Sequence, residues 1–132
     1  MKYLLDTHTL IWAIVEPGKL SERVRQILET TESQIAVSAI TFWEISLKHG
    51  LGKVILENIS PEDFPGLCRQ MEIEIIPVEA DICSTYHQLQ VFYHRDPFDR
   101  MLVWLAKRRG YVLLSKDATL KQYESEGITV IW

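Results

Sequence analysis

The chain has 132 residues, 47% hydrophobic and 24% charged, which is the size and composition of one ordinary globular domain (residues 1–132) able to bury a core without disulfides or a structural metal. No stretch approaches the ~20 apolar residues of a membrane span, and the apolar run after Met1 is cut off at Asp6, too short for a secretory leader, so a cytoplasmic location is expected. A formal net charge of −4 speaks against a uniformly basic nucleic-acid surface, unless several acids gather around cations and basic patches lie elsewhere.

Lys2–Leu5 is a short apolar run suited to a buried strand. Pro17-Gly18 marks a turn, and Leu20, Val24, Ile27 and Leu28 then recur at helical spacing, so Ser21–Glu29 reads as an amphipathic helix with Ser21 as its cap. Ile35–Val37 is a second strand, followed by a helix capped by Ser38 that carries Ile40, Trp43, Glu44 and Leu47 and ends near His49-Gly50. Ser60-Pro61-Glu62-Asp63 is a helix start, and Pro65 makes that helix short or irregular. Ile73–Val78 is a third strand, and Ile82, Tyr86 and Leu89 place a helix over about Ala80–Val91. Asp96-Pro97-Phe98-Asp99 opens the next helix, with Phe98, Met101, Leu102 and Leu105 on one side. Tyr111–Leu114 is a fourth strand, Ala118–Glu124 a short helix and Thr129–Trp132 a terminal strand. Strands separated by helices predict an α/β fold with a mostly parallel sheet of four to five strands, covered on both faces. Cys68 and Cys83 have no metal-ligand spacing and read as core or half-buried thiols of a reducing compartment.

Ligands of open parallel sheets bind beyond the carboxyl ends of the strands. Asp6 directly follows the first strand and Asp117 closely follows the fourth. Asp99 lies in the first turn of the helix that leads into the fourth strand, so it starts at the same edge. Glu44 lies roughly 9 Å along its helix at 1.5 Å per residue and has to lean back to reach that edge. Carboxylates crowded in this way repel one another, and a hard divalent cation removes the repulsion while activating water and stabilising a leaving oxygen, the chemistry of phosphodiester hydrolysis. Each acid also has a local reading: Asp6 as a helix cap, Glu44 in a Thr41-x-x-Glu44 capping box, Asp96 and Asp99 as acids favoured at a helix start, Asp117 as a turn residue. Only their convergence argues for a site.

Tyr3-Leu4-Leu5-Asp6-Thr7 followed by an apolar helix, Ser38-x5-Glu44, His94-Arg95-Asp96-Pro97-Phe98-Asp99-Arg100 and Leu114-Ser115-Lys116-Asp117 together resemble the PIN-domain family, and within it the VapC toxins of toxin–antitoxin pairs. The resemblance covers Lys2–Trp132 and is carried most strongly by the His-x-Asp-Pro-Phe-Asp-Arg segment. It implies a three-layer α/β/α domain with the first strand central, and a Mg²⁺- or Mn²⁺-dependent endoribonuclease leaving a 5′-phosphate and a 3′-hydroxyl. It also implies a homodimer or toxin–antitoxin hetero-oligomer, with a cognate antitoxin that occludes the acidic site. Asp6, Glu44, Asp99 and Asp117 match its four acidic positions as catalytic residues and metal ligands, with Asp96 auxiliary. Thr119 and Leu120 stand where some relatives carry a further acid, and Trp104 interrupts a stretch often rich in alanine, as a core residue or part of a dimer surface.

Lys48, Lys53, Arg95, Arg100 and Lys116 are candidate phosphate contacts, each near an acidic motif; Arg100 could alternatively orient another acid. Thr7 and Ser115 could bond a carboxylate or water, or simply cap. His8 and His94 are not needed by a hard metal with oxygen ligands. Trp12, Phe42, Trp43 and Trp104 could stack on bases, although most are expected in the core. Other readings are a catalytically degenerate PIN-fold binding module, a stand-alone RNA-processing nuclease, and a receiver or phosphatase domain using Asp6 as phosphate acceptor. The last lacks the paired acids such domains place around the first strand or before the acceptor.

Overall fold

β1 (Lys2–Leu5) is the middle strand of the sheet, with Tyr3 opposite Ile35 of β2 (Gln34–Ser38) on one side and opposite Val112 of β4 (Val112–Leu114) on the other. β3 (Glu74–Ile76) and β5 (Val130–Ile131) form the edges, giving a five-stranded, wholly parallel sheet in the order β3-β2-β1-β4-β5. The structure is a computed structural model describing residues Met1–Trp132. The chain winds outward from β1 through β2 to β3, then crosses back to β4 on the other flank of β1. The strand order therefore reverses between β1 and β4, and a crevice opens there.

The pleat sends neighbouring residues into two cores. Leu4, Ala36 and Leu113 face one layer, packed by α5 (Ala80–Thr85), α6 (Pro97–Arg109) and α7 (Ala118–Gln122). Leu5, Ile35, Val37 and Leu114 face the other, packed by α1 (Thr7–Val15), α2 (Glu22–Glu29), α3 (Ala39–Gly50) and α4 (Phe64–Gln70). A sheet buried on both faces explains why β1 and β4 read as unbroken apolar runs. Leu4, Leu5, Leu113 and Leu114 are fully buried, and each contributes about 2 kcal/mol by leaving water. No helix is long and apolar enough to cross a membrane.

Most predicted elements are present, and several boundaries differ for identifiable reasons. The third strand shortens to Glu74–Ile76 and the fourth begins at Val112. The helix expected over Ala80–Val91 stops at Thr85, continues as a 3₁₀ turn over Tyr86–Gln88 and then unwinds. The carbonyls of Leu89 and Val91 are taken by the Arg100 guanidinium instead of by helical N–H groups, each at 2.7 Å. The helix expected over Ala118–Glu124 ends at Gln122 and tightens into a 3₁₀ turn over Tyr123–Glu126. α6 is not buried on one side only: Leu102 to Ala106 are all buried. It ends at Gly110, whose φ of 75° is the left-handed conformation that closes a helix, with the N–H groups of Gly110 and Tyr111 both donated to the Ala106 carbonyl. Both cysteines are free, but Cys83 is exposed rather than half-buried; burial pushes the Cys68 thiol up to about 11.

Candidate active site

The crevice at the strand-order reversal is where the acids gather. Asp6 leaves β1 as the cap of α1, its Oδ1 accepting the Thr9 N–H at 2.8 Å. Its backbone N–H donates to the Leu114 carbonyl, and the Thr9 hydroxyl donates to the same carbonyl at 3.0 Å, so the start of α1 is stitched to the end of β4. Burial raises the Asp6 pKa, opposed by hydrogen bonds from Ser115 and Thr9. Asp117 caps α7, with Oδ1 accepting the Thr119 N–H at 2.7 Å, while its own N–H donates to the Ser115 hydroxyl at 3.1 Å. Buried Ser115 thus touches both aspartates that flank the crevice.

Asp96 caps α6, its Oδ1 accepting the N–H groups of Phe98 and Asp99 at 2.9 and 3.2 Å. Asp99, in the first turn, is pushed up to about 7, by burial first and then by the charges of Asp96, Glu44, Asp6 and Asp117. One carboxyl therefore feels all the other acids singled out in the sequence. Glu44 does reach the cluster from within α3 and is only 2% exposed. Its Oε1 accepts the Thr7 hydroxyl at 2.5 Å and its Oε2 is ion-paired to Lys48, one helical turn onward. Asp96 and Asp99 join Glu44 in holding the Lys48 ammonium charged. The capping-box reading of Glu44 fails, because Ser38 is the cap of α3. The helix-start readings of Asp6 and Asp96 hold alongside the convergence, and Asp117, read as a turn residue, is a helix cap as well.

Asp6, His8, Trp12, Lys116 and Asp117 line a cleft of about 300 Å³. Of the expected phosphate contacts, Lys116 stands at this cleft, Lys48 lies within the acidic cluster, and Arg95 and Lys53 are exposed. Arg100 is a correction. It is 1% exposed and pairs with no carboxylate, so it neither faces a phosphate nor orients an acid directly. Its guanidinium is spent on the Leu89 and Val91 carbonyls and the hydroxyls of Tyr86 and Tyr123. Trp104 is buried in the α6 layer, its indole N–H donated to the Ile82 carbonyl, which removes it from any dimer surface. Trp43 departs from the expected core in the opposite sense: it is 61% exposed and stands edge-on to Phe98. Thr9 and Tyr123 were not singled out in the sequence. Thr9 has the signature of a cap-box neighbour only once Asp6 is known to cap, and Tyr123 gives no local signal.

The donor set suits a hard divalent cation: every group is an oxygen, and Asp99, raised to about 7, makes no ion pair with a lysine or arginine. No three carboxylate, histidine or cysteine side chains are drawn together into a ready-made cage.

The PIN domain family model matches residues 3–126. Ribonuclease VapC22 of Mycobacterium tuberculosis is 24% identical over 98% of this chain and 97% of its own length. Among solved structures, VapBC2 from Rickettsia felis bound to a promoter DNA fragment superposes with a TM-score of 0.68 at 17% identity, covering 99% of this chain and 98% of that one. VapBC-1 from nontypeable Haemophilus influenzae gives 0.66 at 18% identity over 99% and 97%. These likenesses and the central β1 agree on one architecture, and with nearly the whole length matched, the chain belongs to the PIN domain family.

Proposed function

We propose that this protein is a divalent-metal-dependent endoribonuclease and the toxin half of a toxin–antitoxin pair acting in the cytoplasm. The observation that carries the reading is the Asp99 carboxyl, raised to about 7 by burial and then by four other acids that reach it from the cap of α1, α3, the cap of α6 and the cap of α7. A fold has no structural use for such a cluster, which is stabilised by an added cation. The toxin assignment is supported by the likeness to VapC22, named as a ribonuclease, and to the VapBC complexes.

Asp6, Asp99 and Asp117 are the residues to hold Mg²⁺ or Mn²⁺, with Glu44 beside them; when bound, the ion supplies an activated water and charge stabilisation at the phosphate. Ser115 and Thr9 fix Asp6, and Thr7 and Lys48 fix Glu44. Lys116, at the rim of the cleft, attracts the RNA backbone that the acids repel. Trp43, Leu47 and Leu51 recur every four residues along the exposed side of α3, next to Glu44, and offer an apolar seat for an antitoxin segment covering the site. Purified protein is expected to cleave RNA with Mg²⁺ or Mn²⁺ and not in chelator, and Asp6→Asn to lower the rate at least ~10²-fold. Cleavage that survives chelation defeats the metal mechanism. Absence of both cleavage and thermal stabilisation by millimolar metal turns the reading to a binding module.

A further inference from the structure

Behind Asp99 lies a polar chain that the acids do not explain. Arg100 is almost wholly buried with no carboxylate partner, and its Nη1 donates to the Tyr123 hydroxyl at 2.9 Å. That hydroxyl in turn lies 3.1 Å from Nδ1 of His94. The other imidazole nitrogen, Nε2, is shielded from solvent and has no hydrogen-bond partner; the nearest acid oxygen is Oδ2 of Asp99, 3.5 Å away.

The direction of this chain follows from its donors. A guanidinium can only donate, so the Tyr123 oxygen accepts from Arg100 and keeps its own proton for a second partner. Nδ1 of His94, at 3.1 Å, is the one further partner of that hydroxyl, and the arrangement that leaves no phenol proton unpaired has Nδ1 accepting. A neutral imidazole whose Nδ1 accepts carries its hydrogen on Nε2. A buried N–H without an acceptor is costly, and the carboxylate oxygen within reach is Oδ2 of Asp99, at 3.5 Å. Such contacts are commonly long before the site is filled and tighten on loading.

We propose that Arg100, Tyr123 and His94 form a one-way hydrogen-bond chain that fixes the His94 tautomer and points its Nε2–H at Oδ2 of Asp99. His94 is then a positioning residue: it pins one carboxylate oxygen and leaves Oδ1 for a cation or a phosphate-bound water. The inference rests on Asp99 belonging to the active site as read above. It also gives buried Arg100 a use beyond holding the loop over Leu89–Val91. The rings support the geometry independently: the imidazole leans on Tyr123 at 5.6 Å between centroids, and Tyr93 closes the far side of Tyr123 edge-on at 4.9 Å.

The test begins on metal-free protein with ¹⁵N-labelled imidazoles. Long-range ¹H–¹⁵N correlation is expected to show His94 with Nδ1 unprotonated and Nε2 protonated; the opposite tautomer, a cation or an even mixture overturns the proposal. Tyr123→Phe keeps the ring and removes the relay, so it is expected to release the tautomer preference and to weaken Mn²⁺ binding, measured by calorimetry, by about tenfold. His94→Gln, whose amide can place an N–H near the Nε2 position, is expected to keep Mn²⁺ affinity within about threefold of wild type, while His94→Ala loses about tenfold or more. Equal losses in the Gln and Ala variants, both folded by circular dichroism, reduce His94 to packing and reject the idea. Because the tautomer is read without metal or RNA, its failure is distinct from failure of the nuclease reading, which wild-type protein unable to bind Mn²⁺ at all reveals.

Discussion

The acidic cluster has two unlike halves. Glu44 is the more deeply buried carboxylate, and it has close partners of its own: the Thr7 hydroxyl from α1 and the Lys48 ammonium one turn along α3. Asp99 has a side chain 19% exposed and is pushed up to about 7, by burial first and then by four surrounding carboxylates, with an imidazole at 3.5 Å as its one direct ion-pair contact. Depth of burial is therefore a poor guide to where an external cation belongs. The guide is whether the chain supplies its own counter-charge: Glu44 is ion-paired to Lys48, while Asp6, Asp99 and Asp117 make no ion pair with a lysine or arginine.

The sharpest way to break this contrast is to neutralise each half in turn. Asp99→Asn is expected to weaken Mn²⁺ binding and RNA cleavage by about 10²-fold, and Glu44→Gln by about tenfold, both followed by calorimetry and single-turnover kinetics. Equal losses would erase the distinction between the halves. Lys48→Met leaves a buried Glu44 uncompensated; urea denaturation of the metal-free protein is expected to show a loss of about 2 kcal/mol, partly restored by millimolar Mg²⁺. A neutral result means the ion pair is not what settles Glu44.

The acidity of Asp99 gives a stability test of known sign. Its carboxyl sits at about 7 in the folded chain against an ordinary value of 3.8, so the folded state holds the proton more tightly. The associated stability is complete below about pH 4 and disappears as pH rises towards about 7. Metal-free wild type compared with Asp99→Asn is thus expected to lose on the order of 2 kcal/mol across that window, and Mg²⁺ to flatten the difference at neutral pH. A pH-independent difference removes the crowding argument. The smallest effect concerns the rim: Lys116→Gln is expected to raise KM for RNA about threefold and lower the salt dependence of binding by about one counter-ion. Arg100→Gln is expected to leave that salt dependence unchanged.

The sequence was most legible where chemistry and secondary structure use the same residues. Asp6, Ser21 and Ser38 were visible as cap residues and Asp96 as an acid at a helix start, and all four cap helices, as does Asp117, which read as a turn residue. The unbroken apolar runs of β1 and β4 forecast a sheet covered on both faces, and the alternation of strand and helix forecast its parallel order. Legibility failed where one side chain acts over a distance. Nothing near Arg100 shows that it will reach Leu89, Val91, Tyr86 and Tyr123, so it read as a surface cation and the helix from Ala80 read several residues too long. Lys48 lies four residues from Glu44 and could have been read as its partner from helical spacing alone. The wedge of Trp43 against Phe98, two residues of different helices, has no sequence signature at all.

The order of strands also schedules when the cleft can exist. β1 lies between β2 and β4, and Tyr3 must wait for Val112 before its second edge is paired. During synthesis the ribosome delivers Asp6 and then Glu44 well before Asp117. A nascent chain therefore carries Asp6 and Glu44 before β4 exists, with no crevice to hold them, and the acidic cluster closes only once β4 and α7 dock.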